Sequence, residues 1–496
     1  MKYILHKMRE EHILMMRKKR DLFLSNIILR GDDKMIEQRG YEKDASRRLF
    51  QHAKKFIPGG VTANIKHFAP YPIFMKKGYG SKLIDVDGVE YIDYSLCYGA
   101  LMTGHGHPRI KEATLKQLDD SGTVIFGTPH ELEVKMAEKL ITLYPSMDQV
   151  RFTNSGTEAV LLAIRLAVAY TNKPKIGKFE GHYHGGLNQL LVSINPTQRD
   201  AGRPDQPEAV FESDGIVQSE RENTIVLPFN DLEATEKLLR KHQDELAAVI
   251  LEPVQGGFIP AEPQFIRGLR DLTNELGIVL IFDEVKTGFR VALGGAQSVY
   301  DVDPDITTLG KVLGGGFPIG AVGGHEEIMM QSAATAKSDV FSVGSDSHKT
   351  KNIVFHSGTY NGHPIVLAAG LETIRLLEDE NELKSTFEKT MLLRKELEKL
   401  YETYHIKMQT IGMGSIFNLV FTDQTIRHYR DMWQADTSFR QAIDIELLKL
   451  GIYLKPLNRY STSTAHTVED IEKTVSLHER AIHRVLQQSE PLYAVK

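Results

Sequence analysis

Ala247-Ala-Val-Ile-Leu251 and Ile278-Val-Leu-Ile-Phe282 are two continuous apolar runs. Neither alternates apolar with polar residues. Each therefore reads as a strand buried on both faces, the pattern of a parallel sheet. Residues 264–275, between them, carry helical spacing, and a helix is the connection that parallel neighbours need. The class is α/β with a mostly parallel sheet. Outward from this unit, residues 150–152 predict a short strand and 159–170 an apolar helix. Residues 130–144 predict a helix with Leu132, Met136, Leu140 and Ile141 on one face. The segment 82–93 predicts a hairpin turned at Asp87-Gly88. Residues 197–222 and 331–352 are polar and read as long surface loops. After His363-Pro364 comes a helix-rich region with a short strand at 451–454 and a last helix from about Val468. The expected division is an N-terminal helical extension over 1–45, part of a smaller domain over 46–100, a large domain over 101–362, and the rest of the smaller domain over 363–496.

Composition removes several classes of function. A chain of 496 residues has room for roughly two to four domains. The net charge of -5 gives no basic excess for nucleic acid or a membrane surface. Cys97 is the one cysteine, so no internal disulfide can form, which fits a reducing, cytoplasmic setting. No apolar run approaches the roughly 18 residues of a membrane span. The first 38 or so residues are rich in Met, Leu, Ile, Lys and Arg. They lack a signal-peptide core, and Glu10 and Glu11 argue against a transit peptide. An amphipathic extension that packs on the body or on a partner subunit is expected there.

Three motifs carry chemistry. In Phe152-Thr-Asn-Ser-Gly-Thr-Glu-Ala159 a short strand runs into a helix, so Ser155, Gly156 and Thr157 stand at the helix N-terminus. Free N–H groups and the positive end of the dipole make that an anion site; a plain Ser/Thr cap is the other reading. Asp283 ends a buried strand, where α/β proteins place their ligands, and a half-buried carboxylate there needs a cationic partner. Lys311, in Thr308-Leu-Gly-Lys-Val-Leu-Gly-Gly-Gly-Phe-Pro318, stands among glycines before a Gly-rich turn. Desolvated or near cations, such an amine becomes a Schiff-base nucleophile; a surface lysine beside a loop is the alternative. The glycines of 314–320 do not have dinucleotide-loop spacing, and a Walker A loop is absent. Pyridoxal phosphate needs all three features together: an anion site, an acid for the pyridine nitrogen and an amine for the aldehyde.

Phe282-Asp-Glu-Val-Lys-Thr-Gly-Phe-Arg290, Gly294-Gly-Ala-Gln297 and the stretch from Asp305 to Ala321 closely resemble the class III pyridoxal-phosphate aminotransferases. Within them the chain is most similar to the glutamate-1-semialdehyde aminomutase branch. The likeness runs from Pro58-Gly-Gly-Val61 to His466-Thr-Val-Glu-Asp470. The resemblance implies the aspartate-aminotransferase type of fold (fold type I), whose large domain binds the cofactor beside a smaller α+β domain. It implies that Lys311 carries the cofactor as a Schiff base and that Asp283 keeps the pyridine nitrogen protonated. It gives Ser155, Gly156 and Thr157 to the phosphate, Tyr183 to the ring face, and Gln255 to the vicinity of the ring hydroxyl. Thr359 would reach the phosphate of a neighbouring subunit, which requires a homodimer with shared sites.

Two departures bear on the substrate. Where the aminomutase pattern has an arginine for the substrate carboxylate, this chain has Lys66, which keeps the charge but loses the fork. The aminomutase's gating glutamate before Ala-His-Thr has no counterpart in Pro456-Leu-Asn-Arg-Tyr-Ser-Thr-Ser-Thr-Ala-His466, where Arg459 could meet a carboxylate instead. These changes favour an aminotransferase, taking an amino donor and an oxo acceptor, over the aminomutase. A racemase or epimerase on the same scaffold is a further reading. A metal-dependent hydrolase would use His105 with His107, or His182 with His184, beside Asp283 and Glu284. The plainer expectation places His105 and His107 in a turn lining the site, and His184 behind Tyr183, with no metal bound. A non-catalytic binding protein would be expected to lack Lys311 or Asp283, and both are present.

Overall fold

A computed structural model describes residues 44–334 and 353–489. It comprises two compact units. Among the described residues the larger is built of 75–84, 90–334, 353–448 and 452–489. Its centre is a seven-stranded sheet of β1 (Gln149–Thr153), β2 (Lys175–Phe179), β3 (Thr224–Leu227), β4 (Leu246–Leu251), β5 (Val279–Asp283), β6 (Ile306–Gly310) and β7 (Gly320–Gly324), in the order β1-β7-β6-β5-β4-β2-β3. Strands β3, β2, β4, β5 and β6 run parallel, and β7 is antiparallel to both β6 and β1. The expected β4–helix–β5 unit is present, its helix α3 spanning Pro263–Leu276 after α1 (Gly156–Thr171) and α2 (Leu232–His242).

The two apolar runs are continuous because both sheet faces are covered. Val249, Leu251, Leu280 and Phe282 pack with Phe265, Ile266, Leu269 and Leu272 of α3. Ala248, Ile250, Val279 and Ile281 pack with Ala159, Val160, Ala163 and Ala167 of α1. The two-residue period of a strand sends alternate side chains to opposite faces. Asp283 therefore follows Val279 and Ile281 onto the α1 face. Between β5 and β6 the chain makes one short helix, α4 (Gly295–Tyr300), and returns parallel with Asp283 opposite Thr308.

In the C-terminal region, β8 (Gln409–Met413), β9 (Ile416–Val420) and β10 (Tyr460–Ser461) form an antiparallel sheet, with α5 (Thr437–Leu450) before β10 and α6 (Val468–Ser489) after it. The predicted hairpin pairs Leu83 with Tyr91, and the helix at 131–143 and the last helix stand where expected. Two readings need correction. Residues 197–222 are not all loop: they hold a short antiparallel pair, Gly202–Arg203 with Gln206–Pro207, and a helix, Gln218–Glu222. The strand expected over 451–454 is only Ile452–Tyr453. The expected extension up to residue 43 and the loop from 335 to 352 lie outside the described residues.

Among the described residues the smaller unit contains 44–74, 85–89 and 449–451. In it, the Asp87 carboxylate accepts the N–H groups of Ala45 (2.8 Å) and Ser46 (3.1 Å) in the first turn of helix Asp44–Ala53. An anion there satisfies orphan donors and meets the positive end of the helix dipole. Phe74 N–H donates to the buried Ser46 hydroxyl, 3.0 Å away.

Candidate active site

Beyond the C-terminal ends of β5 and β6, a cavity of about 190 Å³ is lined by residues from four different segments. Its anion end is the first turn of α1. The Ser155 hydroxyl accepts the Glu158 N–H at 3.2 Å, so this side chain caps the helix and does not line the cavity. Gly156 and Thr157 do line it. Their N–H groups belong to the first turn, where the helix offers no acceptor of its own. Two glycines let the walls close around that turn. A Cβ on Gly156 would lie 2.7 Å from Val285 Cγ1, and one on Gly185, at φ +91°, would lie 2.4 Å from Thr157 Oγ1.

Asp283 also lines the cavity. Its Oδ2 accepts from His184 Nδ1 at 2.7 Å, and its Oδ1 accepts the Val285 N–H at 3.0 Å. Burial by itself raises this carboxyl, but the His184 hydrogen bond and charge, the Val285 N–H and the Lys286 ammonium outweigh it and hold the group below the ordinary carboxylate range. His184 thus stands behind Asp283, not behind Tyr183 as its position in the sequence suggests. The buried carboxylate's expected partner is this histidine, 99 residues away in the chain. The other histidines are occupied separately. His182 Nδ1 accepts the Glu252 N–H at 2.9 Å, and His105 Nε2 meets Asp93 at 2.7 Å. His105 and His107 do not line the cavity. Among the described residues no group of three or more His, Cys, Asp or Glu side chains could hold a metal ion.

Lys311 follows β6 at φ +47°, a left-handed conformation that a lysine occupies at some strain. Burial, then the charges of Lys286 and Arg459, pull its ammonium down to about 7, against opposing pulls from Asp283 and Glu252. Tyr183, 45% exposed, forms a further wall. Lys286 shares the lining and forms an ion pair with Glu252, itself 1% exposed. The Glu252 carboxylate also accepts the Tyr183 N–H at 2.8 Å, and the Lys286 ammonium lies 5.4 Å from the Tyr183 ring centre. Sequence reasoning missed Lys286, Glu252 and the pairing of His184. Lys286 stood inside a quoted motif, and its place three residues after Asp283 was the available signal.

The remaining candidates are not in the cavity wall. Gln255 is buried, and its Oε1 has no hydrogen-bond partner among the described residues. Thr359 lies in a turn of the 356–362 segment. Lys66 belongs to the smaller unit, on the exposed turn Asn64–Lys66, and donates to Thr62 Oγ1 at 2.8 Å. Arg459 is partly buried; its Nη2 donates to the Tyr98 carbonyl at 3.1 Å, while its buried Nε has no partner among the described residues. Gly257 gives it room, since a Cβ there would lie 2.7 Å from Nε.

The cavity fits pyridoxal phosphate. It offers backbone donors at a helix N-terminus in a cradle that a Cβ would fill, a carboxylate held ionised, an amine, and an aromatic wall. Comparison with known proteins agrees. The family described as Aminotransferase class-III matches residues 64–470. The chain is 41% identical, over 88% of its length and 99% of the relative's, to the glutamate-1-semialdehyde 2,1-aminomutase of Ignicoccus hospitalis. Among solved structures, an ω-transaminase from Sphaerobacter thermophilus superposes with a TM-score of 0.82 at 37% identity, covering 89% of this chain and 98% of that one. A β-phenylalanine aminotransferase from Variovorax paradoxus gives a TM-score of 0.75 at 30% identity, covering 91% and 95%. The chain belongs to the class III aminotransferases, pyridoxal-phosphate enzymes of fold type I.

Proposed function

We propose that this enzyme moves an amino group from a carboxylate-bearing amino compound to an oxo acceptor. Pyridoxal phosphate, when bound, supplies an electron sink for the carbon that bears nitrogen. Gly156 and Thr157 hold its phosphate with the N–H groups of the first turn of α1, and Asp283 holds a proton on its pyridine nitrogen. His184 keeps that carboxylate ionised and aimed. Lys311 takes the proton from the substrate carbon and delivers it again, as base and then acid. A lysine near neutrality is matched to both roles. Tyr183 would cover the ring and exclude water from one face, and Gln255 would act from behind the wall, toward the ring hydroxyl. Thr359 reaches the phosphate of a neighbouring subunit, so the working unit is a homodimer with shared sites.

The observation that carries a carboxylate-bearing substrate is Arg459. A guanidinium with a buried, unpartnered N–H lies close enough to Lys311 to lower its pKa. It occupies the segment where the aminomutase pattern has an acid. A cation there receives a substrate carboxylate. Lys66 is a second, weaker candidate for that role.

A second reading has its own observation. Curated relatives at 39–41% identity, from Ignicoccus hospitalis and Methanopyrus kandleri, are named glutamate-1-semialdehyde 2,1-aminomutase, in which the amino group moves within one molecule, and they favour that reading over the first. The names of the solved relatives weigh toward transfer between two; Arg459 serves either reading, since glutamate-1-semialdehyde also bears a carboxylate. The test is to follow the cofactor's visible absorption while glutamate, alanine, 3-amino-3-phenylpropanoate and then glutamate-1-semialdehyde are added. Spectral change with ordinary donors and release of their oxo acids supports the aminotransferase. Inert donors, with 5-aminolevulinate formed from the semialdehyde, overturn it in favour of the aminomutase.

A further inference from the structure

Resting on the reading of Arg459 as the carboxylate receiver, we infer that the buried pair Arg440–Asp444 is a splint that sets where this guanidinium stands, so that two residues of α5 determine carboxylate specificity without touching substrate. Both side chains are nearly inaccessible, at 4% and 1% exposure. They lie one helical turn apart, and Arg440 Nε is 2.8 Å from both carboxylate oxygens of Asp444.

A stability pair could stop there, but this one spends its remaining groups on the backbone just before Arg459. Arg440 Nη2 donates to the Asn458 carbonyl at 2.7 Å. Asp444 Oδ2 accepts the Leu457 N–H at 2.7 Å. Leu457 sits at φ +66°, a left-handed conformation unfavourable for a branched aliphatic residue and retained only under restraint. Asn458 Oδ1 then accepts the N–H of Arg459 itself at 2.8 Å. On the far side, Arg440 lies 5.6 Å from the ring centre of Tyr460, the residue after Arg459. Nη1 anchors the guanidinium to β9 through Asn418 Oδ1 (2.9 Å) and the Leu419 carbonyl (2.6 Å). The planar fork thus ties β9, α5 and the Arg459 segment to one rigid point, which a lysine's single ammonium cannot do. Arg440 and Asp444 are positioning residues.

The test uses holoenzyme and three small oxyamines that attack the bound cofactor whatever the natural substrate. Aminooxyacetate and 3-aminooxypropanoate carry a carboxylate at two reaches; O-methylhydroxylamine carries none. The readout is the rate at which each bleaches the cofactor's absorption band. Wild type is expected to favour the carboxylate reagents. Arg459→Met should abolish the preference. Arg440→Lys, which keeps the buried charge, should reduce it about tenfold or more, the scale on which misplacing a positioning group acts. Its O-methylhydroxylamine rate and resting spectrum should not change. If Arg440→Lys does not fold, Arg440→Met combined with Asp444→Leu removes both buried charges at once, a replacement that proteins often tolerate, and carries the same expectation. A preference lost in Arg459→Met but intact in the α5 variants overturns the splint alone. A wild type without preference, or one that Arg459→Met leaves unchanged, overturns the carboxylate reading and the splint with it.

Discussion

Lys311 is the residue on which turnover depends. Lys311→Ala is expected to keep the cofactor, since the cradle and Asp283 remain, and to lose activity by at least about 10³-fold. Near-normal turnover with any donor would remove Lys311 from the reaction. Its protonation also governs assembly of the holoenzyme, because only the neutral amine attacks an aldehyde. With the ammonium at about 7, uptake of pyridoxal phosphate by the cofactor-free protein should slow as pH falls below that value. The charge of Lys286 helps hold the Lys311 ammonium down. Removing it in Lys286→Met must raise the Lys311 pKa, so the midpoint of the uptake profile moves to higher pH. Stopped-flow absorbance across pH 5 to 9 measures this, and a midpoint that stays or falls contradicts the assignment of Lys286.

At the scale of elements, the site depends on two close approaches. The first turn of α1 and the loop after β2 meet at Gly185, where φ is +91° and a Cβ would strike Thr157. Gly185→Ala is expected to weaken cofactor binding about tenfold or more through that displacement, combined with backbone strain. Equilibrium titration with pyridoxal phosphate checks it, and an unchanged affinity would separate Thr157 from the phosphate. β5 is the second dependence. Phe282 is fully buried between β5 and α3. Phe282→Ala should cost about 3–5 kcal/mol in denaturant unfolding, because a large cavity opens in the sheet's covered face. A loss below about 1 kcal/mol would mean that this face repacks freely.

At the scale of the whole molecule, the proposal that Thr359 completes a neighbour's site makes a prediction about mixed dimers. In a dimer of one Lys311→Ala chain and one Thr359→Ala chain, one site lacks both residues and the other keeps both. Mixing the two variants under subunit exchange should therefore raise activity at limiting pyridoxal phosphate above that of either alone. A mixture that stays at the mean of its parents argues for sites built within one chain.

The apolar runs at 247–251 and 278–282 determined the parallel sheet, because a strand covered on both faces must be apolar at every position. The sequence by itself also marked Asp283, Lys311 and the turn at Gly156, since strand ends and helix starts are local features. Other elements were not legible locally. Gly320-Ala-Val-Gly-Gly324 has poor strand composition, yet it forms β7 because β6 and β1 flank it. Its glycines are required by contacts with Ser155 and Met147, which are remote in sequence. The same limit hid His184 behind Asp283, Glu252 beside Lys286, and the Arg440 fork behind Arg459. Each is a pairing between side chains on different segments, or a backbone bond reached across a helix. Burial makes such pairings obligatory, because a desolvated charge must find a partner. Local sequence says that a partner is needed; only the tertiary structure decides which residue it is.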